Sequence, residues 1–300
     1  MSDITLNRWL KEKFGCKVYK ISLSSGCTCP NRDGTISKGG CTFCSEGGSG
    51  EFGQTFGDIE GQIEKGIENI STKLPKRKPV KFIAYFQSFS NTYETKENTF
   101  EDLSNIFEKA ISHPEICALS IGTRPDCISD RMIAFLSELN KTKPVWVELG
   151  LQTIHESTAE KINRGYRLNT FIDTYRKLKE NGLSVIVHTI LWLPGETKEM
   201  MRETAIYLAG LTPPPDGIKF QLLQILRKTK MAEAYEKNPW TLPDLNEYCS
   251  FIKELADLMP DETVLHRLTG DGPKFLLIEP AWCGNKRAVL NELKKHFDLD

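Results

Sequence analysis

The sequence predicts an α/β protein built on a parallel sheet, and three observations point there. Six short apolar runs recur along the chain, longer amphipathic stretches separate them, and several of those stretches stop at Gly or Pro. Runs apolar at nearly every residue suit strands covered on both faces, and strand–helix–strand repeats suit right-handed parallel crossovers. Six such strands fit either an incomplete barrel or an open doubly wound sheet; the pattern leaves both open. In either, ligands bind at the carboxyl ends of the strands.

The chain opens on MSDITLNRWLKEKFG, a charged amphipathic helix pattern rather than the apolar core of a secretion signal. Val18-Tyr-Lys-Ile-Ser-Leu23 is the first strand. After a cysteine-rich loop come the runs Val80–Phe86, Ala118–Gly122, Val145–Leu151, Val185–Ile190 and Ile218–Leu223. Between them, Phe100–His113, Ile128–Asn140, Phe171–Asn181 and Lys198–Leu211 read as helices, with stops at Pro114, Gly182 and Pro213. Leu193-Pro-Gly-Glu-Thr197 reads as a turn whose Thr197 caps the next helix. Beyond about residue 231 the pattern turns helical and then irregular. No repeat, low-complexity tract or linker divides the chain. A single domain over 1–300 is therefore expected, with a core of about 16–230 and a C-terminal extension of about 231–300.

The formal net charge of −1 excludes binding to long nucleic acid by charge alone, so any such contact must use local patches. Lys73-Leu-Pro-Lys-Arg-Lys-Pro-Val-Lys81 and Arg227-Lys-Thr-Lys230 are candidates, although either by itself reads as a solvated loop. No stretch approaches the roughly 18 apolar residues of a membrane span, so a cytoplasmic protein without a membrane partner is expected. Thiols stay reduced there. The nine cysteines, an odd number with four in one loop, then indicate metal binding rather than a disulfide framework.

That loop, CTCPNRDGTISKGGCTFC over residues 27–44, follows the first strand directly and so sits where this architecture places chemistry. Cys29, Cys41 and Cys44 have the spacing C-x11-C-x2-C, with Gly39-Gly40 allowing a sharp turn before the last pair. Cys27 precedes Cys29 by two residues, and thiols so placed on extended backbone point to opposite sides. Four thiolates can close a tetrahedral zinc site. Three can hold an iron–sulfur cubane with one iron left open. Spacing does not choose between them.

The ordered motifs do. Cys29-Pro-Asn-Arg-Asp-Gly-Thr35, Gly39-Gly-Cys-Thr-Phe-Cys44, Tyr85-Phe-Gln-Ser-Phe-Ser-Asn-Thr-Tyr93, Gly122-Thr-Arg-Pro-Asp-Cys127, Glu148-Leu-Gly-Leu-Gln-Thr153, Leu193-Pro-Gly-Glu-Thr197 and Arg267-Leu-Thr-Gly-Asp271 run across roughly residues 10 to 290. In this order they resemble the radical S-adenosylmethionine (SAM) superfamily, specifically its YhcC/YtqA-type family related to the catalytic subunit of Elongator. Ser45-Glu-Gly-Gly-Ser-Gly-Glu-Phe52 resembles the YtqA branch.

The resemblance implies a partial (β/α)6 TIM-like barrel of the radical SAM type with a helical or irregular C-terminal extension. It implies a [4Fe–4S] cluster on Cys29, Cys41 and Cys44, whose open iron chelates SAM, and one-electron cleavage to a 5′-deoxyadenosyl radical. Cys27 stands where the family usually has an apolar residue, which makes it a bystander. Gln87 and Ser88 end the second strand, where superfamily members hold the methionine amine. Thr123 and Arg124 end the third, and the arginine is suited to a two-point bond with the methionine carboxylate. Glu148 and Gln152, an even number apart, both face the interior and can reach the ribose or amine; His188 sits mid-strand, where an ordinary core histidine is the plainer reading.

Gly47-Gly-Ser-Gly50 can cradle a phosphate or simply allow close backbone approach. Gln221, Gln224, Arg227, Arg267, Asp271 and Lys286 are candidates for the far wall of the pocket. No catalytic acid or base is legible. The YtqA-like features imply action on the tRNA wobble uridine, converting carboxymethylaminomethyl to aminomethyl. The implied partners are the anticodon stem-loop, a reductant such as flavodoxin or ferredoxin, and a downstream tRNA methylase. The competing classes are a radical SAM enzyme for a small metabolite and a non-catalytic zinc-bearing RNA-binding module.

Overall fold

A computed structural model describes residues 4–48, 57–72, 79–270 and 272–299. The elements run α1 (Leu6–Phe14), β1 (Lys17–Leu23), α2 (Pro30–Asp33), α3 (Ile59–Ser71), β2 (Val80–Phe86), α4 (Phe100–Ser112), β3 (Ile116–Thr123), α5 (Asp130–Asn140), β4 (Val145–Gln152), α6 (Glu156–Lys161) and α7 (Leu168–Glu180). Then follow β5 (Ser184–Leu191), α8 (Lys198–Ala209), β6 (Gly217–Leu222), β7 (Ile225–Leu226), α9 (Lys230–Lys237), α10 (Leu245–Asp257), β8 (Val264–Arg267), β9 (Leu277–Glu279) and α11 (Lys286–Leu293).

Seven strands form one parallel sheet in the order β1-β2-β3-β4-β5-β6-β8. Strand order follows chain order without the reversal that marks a doubly wound sheet, so the sheet curls in one sense into a half-barrel. All six runs read from the sequence are strands of this sheet. The seventh, β8, comes from the C-terminal extension; four residues that include His266 and Arg267 carry too weak an apolar signal to stand out. The extension thus completes the sheet edge as well as adding helices. The antiparallel pair β7–β9 ties it to the strand ends.

Alternation along the strands sorts the side chains. Phe82, Ala84, Phe86, Leu119, Ile121, Val145, Val147, Leu149, Val185, Val187, Ile218 and Phe220 face outward, into the main core under the helices. The inward set is stratified. At the amino end of the strands Val18, Ile83, Ala118, Trp146 and Ile186 pack with Leu10 of α1, and Trp9 meets Trp146 edge-on at 5.6 Å. The first helix therefore plugs the bottom of the half-barrel. Above that plug the interior becomes polar.

Helix starts explain the boundary differences. Ser129 accepts from the Met132 amide, so α5 begins at Asp130 rather than at Ile128. Thr197 caps α8 through the Met200 amide, as its sequence position indicates. Among the described residues no helix is long and apolar enough to cross a membrane.

Candidate functional site

The polar layer centres on Glu148, whose side chain is wholly buried and whose four acceptor positions are all taken. Oε1 accepts from Lys20 Nζ at 2.8 Å and Ser120 Oγ at 2.7 Å. Oε2 accepts from Lys219 Nζ and pairs with His188 Nε2 at 2.9 Å. Lys219 Nζ also donates to the Tyr85 hydroxyl at 3.0 Å. Burial alone would raise the Glu148 carboxyl, but Lys20 and Lys219, helped by His188, hold it well below the usual carboxylate range. Burial, with the Lys219 charge adding to it, lowers the His188 imidazole to about 4, so the ring is neutral near pH 7.

Above this layer, at the carboxyl ends of the strands, opens a pocket of about 230 Å³. Cys29, Cys41 and Cys44 line it on one side. Their loop is braced on both flanks. Asn31, fully buried, directs its Nδ2 at Cys41 Sγ (3.5 Å) and at the Asn163 carbonyl, while Asn163 Nδ2 returns a bond to the Gly40 carbonyl at 2.9 Å. Thr42 donates its amide to the Ile162 carbonyl, and the Arg32 guanidinium reaches the Cys44 and Ser45 carbonyls. Gly40 takes φ +78 in the turn before Cys41, where a Cβ would meet Arg32 Nε at 2.9 Å; only glycine fits.

Cys27 is turned away from the pocket. It is buried in the core, and its Sγ lies 3.8 Å from the Tyr93 carbonyl. Burial pushes the Cys41 thiol up to about 12, with Cys44 adding to the shift. A thiol held protonated in this way is a poor nucleophile, and a bound metal would supply the positive charge that favours its thiolate. Among the described residues no three His, Cys, Asp or Glu side chains converge tightly enough for a single ion. Three thiols on one pocket wall, with an amide N–H directed at one sulfur, form a donor set that a cubane could use.

The other sequence candidates divide. Gln87, Thr123, Arg124, Glu148, Gln152 and His188 line the pocket, and Ser88 does not. Arg124 differs from expectation in its bonding: its two-point partner is Asp126, at 2.8 and 2.7 Å, and its Nη1 donates to the Arg164 carbonyl. One edge of the guanidinium is thus held by Asp126, and one N–H on each of Nη1 and Nη2 is left over. Glu148 has its acceptors taken by Lys20, Ser120, His188 and Lys219 and anchors the floor. Gln152 follows a register shift in β4 and has φ +67, a rare conformation for a non-glycine residue; its Oε1 accepts from Tyr166.

Gln221, Gln224 and Arg267 form part of the far wall as expected, but Arg227 and Lys286 are exposed and do not. Asp271 lies outside the described residues, as do residues 49 and 50 of the glycine run and 73–78 of the first basic run. Gly48 packs against Phe89, consistent with close approach. Sequence reading missed Lys20, Asn31, Arg164, Tyr166 and Lys219. Lys219 shared strand parity with Gln221 and was findable; Arg164, 1% exposed and bonded to the Leu151 and Thr153 carbonyls, sits in a loop that carries no periodic signal.

The family model described as the Radical SAM superfamily matches residues 26–208, and the Radical_SAM C-terminal domain matches 215–298. The YtqA protein of Bacillus subtilis (strain 168) is 41% identical over 296 residues, covering 98% of this chain and 89% of that protein. A tRNA uridine(34) acetyltransferase of Methanocaldococcus infernus is 27% identical over 67% of this chain, which spans 36% of that protein. Among solved structures, the archaeal Methanocaldococcus infernus Elp3 with an N-terminal deletion superposes with a TM-score of 0.60 at 20% identity, over 93% of this chain and 63% of that one.

Proposed function

The chain belongs to the radical SAM superfamily, which implies a [4Fe–4S] cluster and SAM as cofactors, and from that premise we propose an enzyme that modifies the wobble uridine of tRNA. The reaction in this reading converts the carboxymethylaminomethyl side chain to aminomethyl. The observation that carries the cofactor assignment is the placement of Cys29, Cys41 and Cys44 on one pocket wall, with Cys27 facing the core. When bound, the cluster and SAM supply a one-electron cleavage that yields a hydrogen-abstracting 5′-deoxyadenosyl radical.

The protein's own part is to orient and to exclude water. Asn31 and Asn163 fix the ligand loop, and the Asn31 N–H directed at Cys41 Sγ stabilises a thiolate there. The Arg124–Asp126 pair and Tyr166 stiffen the wall beside it. Gln87, Thr123 and Gln152 offer polar atoms to SAM from three strand ends.

Two features support an RNA substrate. The chain is similar to the tRNA uridine(34) acetyltransferase over two thirds of its length. In addition, Lys38, Arg227, Lys228 and Lys230 are exposed around the ligand loop and the adjoining turn, where Lys230 Nζ donates to the Lys38 carbonyl. Near them Phe275 is 75% exposed, a stacking platform of the kind single-stranded bases use. The partners in this reading are the anticodon stem-loop, a flavodoxin- or ferredoxin-like reductant and a methylase that acts on the product. Mass spectrometry of tRNA nucleosides from a deletion strain tests it: carboxymethylaminomethyluridine should accumulate at the expense of the aminomethyl and methylaminomethyl forms. An unchanged nucleoside profile refutes the tRNA assignment.

A further inference from the structure

The floor of the pocket carries more positive charge than it neutralises. Lys20 and Lys219, beneath the lining, pair with Glu148, whose acceptors are then all taken, while Arg267 lines the pocket beside it. Arg267 is the register partner of Lys219 across β6 and β8, so both project into the half-barrel. It is half-buried, lines the pocket, and its side chain makes no hydrogen bond or ion pair among the described residues. Its charge acts on Tyr85, His188 and Lys219, the groups of the floor. Arg124, by contrast, acts on the Cys41 and Cys127 thiols and already has a carboxylate partner.

An unpaired, half-buried guanidinium costs free energy unless an anion completes it, and its planar fork matches a carboxylate. We propose that Arg267 receives a carboxylate on the substrate and so selects substrates whose reacting arm ends in that group. Gln221, whose Nε2 lies 3.5 Å from His188 Nδ1, provides a neutral donor on the adjoining strand. A carboxylate held at the floor draws the arm that bears it down from the mouth and past the cysteine wall. This depends on the tRNA reading for the identity of the substrate but not for the pocket itself.

The test uses unreduced holoprotein with SAM bound and two pairs of probes. One pair is an anticodon stem-loop RNA carrying carboxymethylaminomethyluridine or its carboxamide analogue; the other is the corresponding free nucleosides. We expect each acid to bind about tenfold or more tighter than its amide. Arg267→Gln should erase that preference and leave the affinity for the amides and for SAM unchanged. Stem-loops that bind the unaltered protein with no acid preference overturn the carboxylate site and leave the tRNA reading standing. An acid preference among the nucleosides with no stem-loop binding does the reverse. Loss of SAM affinity in Arg267→Gln with the acid preference intact also overturns the proposal. Should that variant fail to fold, Arg267→Lys decides: a several-fold smaller acid preference upholds the site, and an unchanged one refutes it.

Discussion

Replacing Glu148 by Gln keeps the volume but removes the charge on which the polar layer is built. The new amide can accept on one side only. Its –NH2 must face either Lys20 or Lys219, donor against donor, although Ser120 Oγ or the neutral His188 ring can turn to accept. Lys219, with a side chain 2% exposed and an ammonium that burial already disfavours, then loses its counter-ion. Removing one partner of a buried pair costs about 3–5 kcal/mol. With about 2.1 cal/mol/K per residue of unfolding entropy over 300 residues, roughly 0.6 kcal/mol per degree, Tm should fall by about 5–8 °C. Thermal unfolding followed by circular dichroism measures this, with iron content matched between variants. Adding Lys219→Met to Glu148→Gln should recover about half of the loss, because the stranded cation is gone. A drop below about 2 °C, or strictly additive effects in the double variant, would refute the picture of Glu148 as the neutralising centre.

Four further outcomes can be checked. Cys29→Ala, Cys41→Ala and Cys44→Ala should each abolish iron retention in anaerobically purified protein, whereas Cys27→Ala should keep most of it; iron and sulfide analysis reads this directly, and one stoichiometric zinc in colourless protein would favour the zinc module. His188, held near 4 against an ordinary 6.5, resists protonation when folded, so its contribution is intact above about pH 6.5 and is lost as pH falls toward 4. That window is worth up to about 3 kcal/mol, trimmed because a fifth of the ring is exposed, and His188→Gln should flatten the stability–pH curve across it. Phe275→Ala should weaken stem-loop binding by about 1–3 kcal/mol through lost stacking and leave SAM affinity alone, as fluorescence anisotropy would show. Asn31→Ala should loosen the ligand loop and lower iron occupancy even though no cysteine changes.

Much of the sheet was legible because its strands are buried on both sides: runs such as Val80–Phe86 and Val145–Gln152 stand out from the polar helices around them. β8 was not, since Val264–Arg267 is short and half polar. The i, i+2 relation of Cys27 and Cys29 indicated that their thiols meet different surroundings, as they do, but spacing alone left zinc and a cubane both open. What parity alone could not reveal was saturation. Glu148 occupies a pocket position, yet its acceptors are taken by residues as far as 128 positions away along the chain, and Arg124 spends one edge of its guanidinium on Asp126, two positions on. The brace between Asn31 and Asn163 joins two loops 132 residues apart and leaves no local pattern.

The central claim is that three cysteines hold a cluster one of whose irons stays free for SAM. Electron paramagnetic resonance of the reduced, reconstituted protein, recorded with and without SAM, addresses it most directly. We expect a [4Fe–4S]⁺ signal that changes when SAM is added and that is missing in Cys41→Ala. A spectrum indifferent to SAM, or a full complement of cluster in the Cys41→Ala protein, would contradict it.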